Sequence, residues 1–581
     1  MAQKDIGCDV SVRVGGEAGR GMKVISSLLG KVFVREGWWV FTHQDIMSRI
    51  RGGHNFSQIR LSTRPVKCPS AQVDILVCLD QTTLALYKDS VSGIIIYDPK
   101  QAGQDLPSGD RFLPIPLEDT AKTVGGDVRM ANSVASGAIM AVLGLRLEPL
   151  YNLLGEIFAE KGAKVVEANR KCAQAGYDQA QKAKGSVACD VLPRDKASKR
   201  RMLLTGSEAM ALGALASNIR FYSAYPMSPA TPIMEYLAAK QKEFGLVVEQ
   251  AEDEIAAINM AIGASFGGAR AMTGTSGGGL ALMVEGISLA GMTETPVVIV
   301  DCQRPAPATG LPTRTEQADL FFALHAGHGE FPRAILAPAT AEDSFFAVNR
   351  AFYLAEKYQS PVIVLGDQYL NDSAWTTEEF DLEKLIDGRA SLLSETDLKK
   401  LAPYQYKRYE VTPSGITPRI FPGTPDQVLY ADSDEHTEEG HITESAEVRR
   451  NMVEKRLKKL SGLAKEMARP QIYPGTKANA YLVSWGSTLG AVAEAVDTLR
   501  KDGASIGFIH FNEVFPLRSK PIPDKILNGA KLVAVENNAT GQLVRLLRME
   551  TGVDIEERIL KCDGRPFVPQ ELTDRLQKIL R

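Results

Sequence analysis

The sequence has few cysteines and no arrangement of them that chemistry could use. Seven are scattered along 581 residues (Cys8, Cys68, Cys78, Cys172, Cys189, Cys302 and Cys562) with no C-x-x-C pair, which argues against a disulfide framework, a zinc site or a complete iron-sulfur ligand set. If electrons leave this chain, another polypeptide carries them. There is also no run of about 18 apolar residues that could span a bilayer, and no membrane association is expected. The opening stretch MAQKDIGCDVSVRVGGEAGRG lacks the apolar core of about 7–15 residues that marks an export signal, so the cytoplasm is the expected location. A net charge of −3, with Lys and Arg interspersed among acids, leaves no basic stripe for nucleic acid.

What is present is ordinary for globular protein: 44% hydrophobic and 24% charged residues, in a chain long enough for three or so domains of roughly 100–200 residues each. DVSVRV (9–14) reads as a strand running into the glycine-rich GGEAGRG and a helix from about Met22 to Glu36. QVDILVCL (72–79) and GIIIYD (93–98) follow at strand–helix spacing, so residues 1–190 are expected to form a parallel-sheet domain, ending in the linker-like QAQKAKGSVACD. A second block, 200–375, repeats the pattern with near-continuous apolar strands at 220–224, 246–250, 269–273, 296–301 and 361–370. Helices on both faces of a parallel sheet leave such strands no solvent side. Residues 376–470 turn charged and turn-rich and read as a connector with little core, closed by an exposed helix carrying i, i+4 ion pairs. A smaller block follows at 471–581. The fold class is therefore α/β, with several doubly wound domains.

Four stretches of the second block carry candidate chemistry. In SAYPMSPATP (223–232) prolines restrict the backbone around Ser228, and Thr231 before Pro232 has the form of an N-cap with proline at the first helical position. A hydroxyl beside a helix N-terminus suits a small carboxylate; a rigid turn with an ordinary cap accounts for the same residues. In EQAEDEIAAINMAIGASFGGA, the acids Glu252 and Asp253 match a helix dipole, whereas Glu254 is followed by Ile255, Ala256, Ala257 and Ile258. A carboxyl there would be desolvated and poised to share a proton. TGTSGGGLALMVEGISLAGM is a glycine-rich turn feeding a helix; Gly277 and Gly278 permit close approach of a cofactor or of a partner helix, and neither known phosphate-loop spacing is present. DCQRPAPATGLPTRTEQADL places Arg304 and Arg314 in a Pro/Gly-rich loop, where their planar forks match carboxylates. In the first block, Gly15, Gly16, Gly19 and Gly21 occupy a strand-to-helix turn, the usual anion position of an α/β sheet. Arg49, Arg51 and His54 offer a second phosphate contact.

With Y-P-x-[ST]-P at 225–229, D-E-x-A-A at 253–257, T-G-T-S-G-G-G at 273–279 and P-T-R-T-E-Q at 312–317, the chain resembles the α subunit of a 2-oxoacid:ferredoxin oxidoreductase. GGEAGRG resembles that family's γ domain, here fused in front, and VENNATGQL (535–543) is similar to its transketolase-like C-terminal domain. The resemblance implies a pyrimidine-binding domain for thiamine diphosphate, oxidative decarboxylation of a 2-oxo acid, transfer of the acyl group to coenzyme A, and reduction of ferredoxin. It implies that Glu254 hydrogen-bonds the cofactor's aminopyrimidine ring, that Ser228 and Thr231 face the substrate, that Arg304 and Arg314 hold its carboxylates, and that the γ-like glycines hold coenzyme A phosphates. No G-D-G motif with a distant Asn is present, so the diphosphate with its Mg2+, and a 4Fe-4S cluster, are expected on a β subunit, in an (αβ)2 assembly. The P-T-R-T-E-Q motif together with a fused γ domain points to 2-oxoglutarate. Pyruvate or another 2-oxo acid, or a noncatalytic coenzyme A-binding scaffold, are the competing readings.

Overall fold

The computed structural model describes residues 8–49, 52–101, 109–181, 200–475 and 477–580. Arg51 lies outside them, as does the tract read as a linker after Gln181. The chain divides into two compact units. One comprises residues 1–204, 372–380 and 568–571, the other 205–371, 381–567 and 572–581; the stretches 200–375, 376–470 and 471–581 thus fall almost wholly within the second.

The first unit is built on an eight-stranded sheet in the order Phe112–Pro114, Val91–Tyr97, Val73–Cys78, Asp9–Gly16, Asn55–Ser62, Trp39–Asp45, Ala374–Glu378, Arg201–Thr205. Val10, Val12 and Val14 alternate onto one face and share a core with Ile25, Leu29 and Phe33 of the helix Met22–Arg35, the period-2 and period-3.6 patterns meeting as they must. The expected parallel sheet is instead mixed. Asp9–Gly16 runs parallel to Val73–Cys78 but antiparallel to Asn55–Ser62, which pairs antiparallel with Trp39–Asp45. Two adjacent strands joined by a short loop pair antiparallel because a parallel crossover needs a dozen residues or more.

The second unit holds two sheets. Seven strands lie in the order Glu513–Phe515, Ala334–Leu336, Pro361–Asp367, Val297–Gln303, Ala271–Thr275, Phe221–Ala224, Val247–Gln250, parallel except at the Glu513–Phe515 edge. Five more lie in the order Gln471–Tyr473, Ile506–Phe511, Ala480–Trp485, Lys531–Glu536, Glu557–Leu560. Strand Val297–Gln303 is buried along its whole length, as a strand covered by helices on both faces must be. The carboxyl ends of Val247–Gln250, Phe221–Ala224, Ala271–Thr275 and Val297–Gln303, four neighbours in the sheet, release the four stretches that carry the candidate motifs.

The expectation of a solvated helix after the connector is overturned. Helix Ala446–Glu466 buries Lys455, Arg456 and Lys459, and both lysines pair with the buried Glu294, Lys455 at 2.6 Å. Arg408, also from the connector, donates to the Glu294 backbone carbonyl at 2.6 Å. Charged residues at helical spacing were read as a wet face; a single buried carboxylate on another element turns that face inward. Among the described residues, Cys8 is disulfide-bonded, Cys68, Cys78, Cys172, Cys302 and Cys562 are in no disulfide, and no helix is long and apolar enough to cross a membrane.

Burial pushes the Glu294 carboxyl up, but Lys459 and Lys455 outweigh it and hold it well below the usual carboxylate range. Its stabilisation is therefore present above the unfolded carboxyl pKa and lost as pH falls. Removing one partner of a buried ion cluster strands the others, so Glu294→Ala is expected to cost about 3–5 kcal/mol, whereas replacing the three charges together by Met or Leu recovers most of it. Urea denaturation of the three proteins checks both.

Candidate active site

Helix Glu254–Phe266 starts where Asp253 caps it, its side chain accepting from the Ala256 amide at 2.7 Å. Glu254, the first helical residue, is thereby turned inward. It is 3% exposed, and its Oε1 has no hydrogen-bond partner. Burial raises its pKa, against the opposing pull of a hydrogen bond from its own amide and with a smaller push from Asp253; a desolvated carboxyl without a cation is easier to protonate.

The space beside Glu254 exists because of a glycine. The three glycines expected in a loop form the first turn of the helix Gly277–Met292, with Ser276 at the N-cap position but making no side-chain capping bond. A Cβ on Gly279 would lie 2.5 Å from Glu254 Oε1 and closer still to Thr275 Oγ1. On Gly277 it would lie 2.5 Å from Asp319 Oδ2, while on Gly278, which is exposed, it would meet nothing within 4 Å. Gly279 is thus the member of the triplet that meets Glu254, a third position that the G-G-G run signals beside Gly277 and Gly278.

The proline-rich loop 223–232 is tied to the same spot. Ser223 Oγ donates to the Ala257 carbonyl at 2.6 Å, and Ser276 Oγ donates to Met227 Sδ at 2.8 Å. Ser228 is exposed, and its carbonyl accepts from Arg304 Nη1 at 2.7 Å. Burial lowers the Arg304 pKa against the opposing pull of Asp319. Thr231 is not the N-cap: Ala230 takes that position without a side-chain bond, so Thr231 and Pro232 are the first two helical residues. The turn through Met227, whose carbonyl accepts from the Ala230 and Thr231 amides, starts the helix one residue earlier than the hydroxyl alone indicates. Arg314 is 9% exposed and packs beside Gly564, where a Cβ would meet its Cβ at 3.1 Å. Glu254, Gly279, Met227, Ser228 and Arg304 thus form one contiguous set of contacts with Thr275 and Ser276; Arg314 enters through a different neighbour.

In the first unit, Gly15 and Gly16 are glycines because Thr83 and Leu79 pack against them, and Gly21 because Asn132 does. Gly19, with φ +91° and open space around it, lines a cavity of about 250 Å³ with Arg20, Asp98, Glu118 and Asn132. Arg49 is exposed; His54 Nε2 lies 3.0 Å from Tyr87 Oη, and burial lowers its pKa.

A buried carboxyl with one free oxygen, at the mouth of a parallel sheet, fits the nitrogen heterocycle of a cofactor such as thiamine diphosphate: it can donate a proton to a ring nitrogen or accept one. Among the described residues no group of three or more His, Cys, Asp or Glu is placed to hold a metal ion. The family described as "Pyruvate flavodoxin/ferredoxin oxidoreductase, thiamine diP-bdg" matches residues 212–455, and "Pyruvate ferredoxin/flavodoxin oxidoreductase" matches residues 11–179. Fold and site therefore define an oxidoreductase chain with a thiamine diphosphate-binding domain. The 2-oxoacid:ferredoxin oxidoreductase subunit alpha of a Sulfolobus species is 33% identical over 98% of this chain and 96% of its own length. The 2-oxoglutarate synthase subunit KorA of Methanothermobacter marburgensis is 31% identical over 64% of this chain and 97% of its own. A 2-oxoglutarate:ferredoxin oxidoreductase from Magnetococcus marinus, solved with 2-oxoglutarate, coenzyme A and succinyl-CoA bound, superposes with a TM-score of 0.89 at 31% identity, covering 99% of this chain and 100% of that one. The chain belongs to the 2-oxoacid:ferredoxin oxidoreductase family, as an α subunit.

Overpacking at a contact this tight costs about 1–3 kcal/mol, so Gly279→Ala is expected to lower the melting temperature and displace Glu254. Gly278→Ala, with nothing to meet, is expected to be neutral or to stabilise by up to about 1 kcal/mol through helix propensity. Thermal melts of the two variants beside the parent separate close packing from glycine content.

Proposed function

We propose that this α subunit serves an enzyme that oxidatively decarboxylates 2-oxoglutarate with coenzyme A, giving succinyl-CoA and CO2 while two electrons pass to ferredoxin. The observation that carries the reading is Glu254: dry, unpartnered at Oε1 and raised in pKa, in a chain whose solved relative is named for this reaction. Thiamine diphosphate, when bound, supplies the electron sink that loss of CO2 from a 2-oxo acid requires. Glu254 holds or releases a proton at Oε1 toward the cofactor's pyrimidine ring. Gly279 leaves Glu254 room, and Gly277 and Gly278 present bare backbone at the start of their helix to the cofactor.

Substrate orientation falls to the loop residues. Arg304 pins the Ser228 carbonyl with one guanidinium nitrogen, and the rest of its fork is available to a carboxylate. Arg314 offers a second cation, and two cations suit a dicarboxylate better than pyruvate. Ser228 and Thr231 flank that position. Residues 1–190 act as a γ-type domain, with the turn Gly15, Gly16, Gly19 and Gly21 contacting coenzyme A phosphates. Residues 200–375 are the pyrimidine-binding domain, 376–470 a connector and 471–581 a transketolase-like C-terminal domain. A β subunit supplies the diphosphate site, Mg2+ and the 4Fe-4S cluster in an (αβ)2 assembly in the cytoplasm, and ferredoxin is the electron acceptor.

Glu254→Gln tests this. A positioned proton-transfer group is worth typically 10²–10⁴-fold, so 2-oxoglutarate- and coenzyme A-dependent dye reduction by the reconstituted complex is expected to fall by at least about 100-fold; full retention would favour a scaffold. Stability should move the other way. A carboxyl whose folded pKa is raised loses stability as pH rises through that pKa, so the variant's melting temperature at pH 7 and above should equal or exceed the parent's.

A further inference from the structure

Two motifs far apart in sequence, P-T-R-T-E-Q and VENNATGQL, meet at one residue. Gln317 is fully buried, and each of its four polar groups is hydrogen-bonded to residues at one end of the five-stranded sheet. Its amide donates to the Asn537 carbonyl at 2.7 Å, and its carbonyl accepts from Asn538 Nδ2 at 3.1 Å. Its Oε1 accepts from the Asn537 amide at 3.1 Å, and its Nε2 donates to the Trp485 carbonyl at 2.9 Å. The residues around it are tied as well. Gln542 Nε2 donates to the Ala318 carbonyl at 2.6 Å while Gln542 Oε1 accepts from the Phe321 amide at 2.9 Å, and the Thr315 amide donates to the Gly564 carbonyl at 3.3 Å.

This end of the sheet is where an open α/β fold ordinarily holds a ligand. Strand Ala480–Trp485 lies between Ile506–Phe511 and Lys531–Glu536, parallel to both. The chain therefore winds first to one side of it and then to the other, and the crevice outside the carboxyl ends of Ala480–Trp485 and Lys531–Glu536 is the switch point. Gln317 fills that crevice. Gly486 makes room for it: its φ is +56°, and a Cβ there would lie 2.8 Å from Gln317 Nε2. Asn538 is oriented for it, donating also to Glu536 Oε2 at 2.9 Å and accepting from the Gly541 amide at 2.8 Å. Glu536, fully buried, accepts in turn from Trp485 Nε1 and from the Leu543 and Val544 amides. A buried polar network whose members orient one another admits one occupant geometry.

Resting on the reading that Arg314 meets a substrate carboxylate, we propose that Gln317 is the positioning residue for that contact. The five-stranded sheet, its switch-point crevice taken by the chain itself, acts on substrate selection through Gln317. Arg314 stands three residues before Gln317 and next to the Thr315 tether, and the Gly564 that receives this tether packs on the Arg314 Cβ. Thr315 is held a second time by its Oγ1, which donates to Asp367 Oδ1 at 3.1 Å. With hydrogen bonds at 315, 317 and 318, the point from which the Arg314 side chain departs is fixed to the sheet behind it. A cation selects for a distal carboxylate only when its backbone holds it at one distance from the reacting end of the substrate. Arg304, tied instead to the Ser228 carbonyl, is positioned separately.

The test uses the assembled enzyme and two substrates, 2-oxoglutarate and 2-oxobutyrate, the second lacking the distal carboxylate. The quantity read is kcat/KM for the first divided by kcat/KM for the second. Gln317→Met keeps the side-chain length and removes both side-chain bonds. It should lower the ratio at least about tenfold, the scale of a hydrogen bond to a charged group, with the loss in KM for 2-oxoglutarate rather than in kcat. Arg314→Met should lower the same ratio, and adding Gln317→Met to it should change little further, because the two act as one. Gln542→Met, at a half-buried position, should move the ratio the same way by a smaller factor, and carries the test if Gln317→Met does not assemble. A purely structural role lowers the melting temperature and leaves the ratio where it was. That result, alongside a ratio that Arg314→Met does lower, overturns this inference alone. A ratio indifferent to Arg314→Met, or a parent that turns over neither acid, overturns the substrate reading and this inference with it.

Discussion

A carboxyl can be kept dry at the start of one helix only if the helix facing it begins without side chains, and Gly279 meets that condition with no room to spare. The contact between Glu254 and the first turn of Gly277–Met292 fixes the separation of two helices, the position of Thr275 and, through Ser276 and Met227, the height of the Ser228 loop. Leaving Oε1 unpartnered costs stability, since a buried polar atom without a hydrogen bond forfeits about 1–3 kcal/mol. Such an atom is left able to meet a partner from outside the chain.

The same helix is held at its other end by charge. Glu294, two residues past Met292, sits in the left-handed region at φ +49° and takes Lys455 and Lys459 on its side chain and Arg408 on its carbonyl. Cations belong at a helix C-terminus, and here they come from the connector and the long helix after it. The connector is therefore part of the scaffold that sets the glycine turn, bracing the helix from its rear. Four parallel strands then deliver their loops to one edge, as open α/β sheets do at the carboxyl ends of their strands.

The strand and helix order of residues 206–301 and the strand at 361 were legible from apolar runs, because buried parallel strands carry no competing polar pattern; the three-residue strand Ala334–Leu336 and the helix Ala341–Tyr358 between them were not. Glu254 was legible for a related reason, an acid embedded in Ile and Ala. Three further features were not. The antiparallel pair Trp39–Asp45 and Asn55–Ser62 was hidden by polar residues that the sheet buries, among them His43, Asn55, Ser57 and Gln58. Lys455 and Lys459 read as solvent-facing because their partner, Glu294, is remote in sequence. The pairing of Gln317 with Asn537 and Asn538 gave no signal at all, since a hydrogen bond between remote segments is a property of packing in three dimensions.

The most direct test of a dry, proton-holding Glu254 is spectroscopic. Difference infrared spectra of the assembled enzyme, recorded as thiamine diphosphate is added to the cofactor-free complex, should contain a protonated-carboxyl band that shifts on addition and is missing from Glu254→Gln. A carboxyl that is ionised throughout, or a band indifferent to the cofactor, would contradict the account.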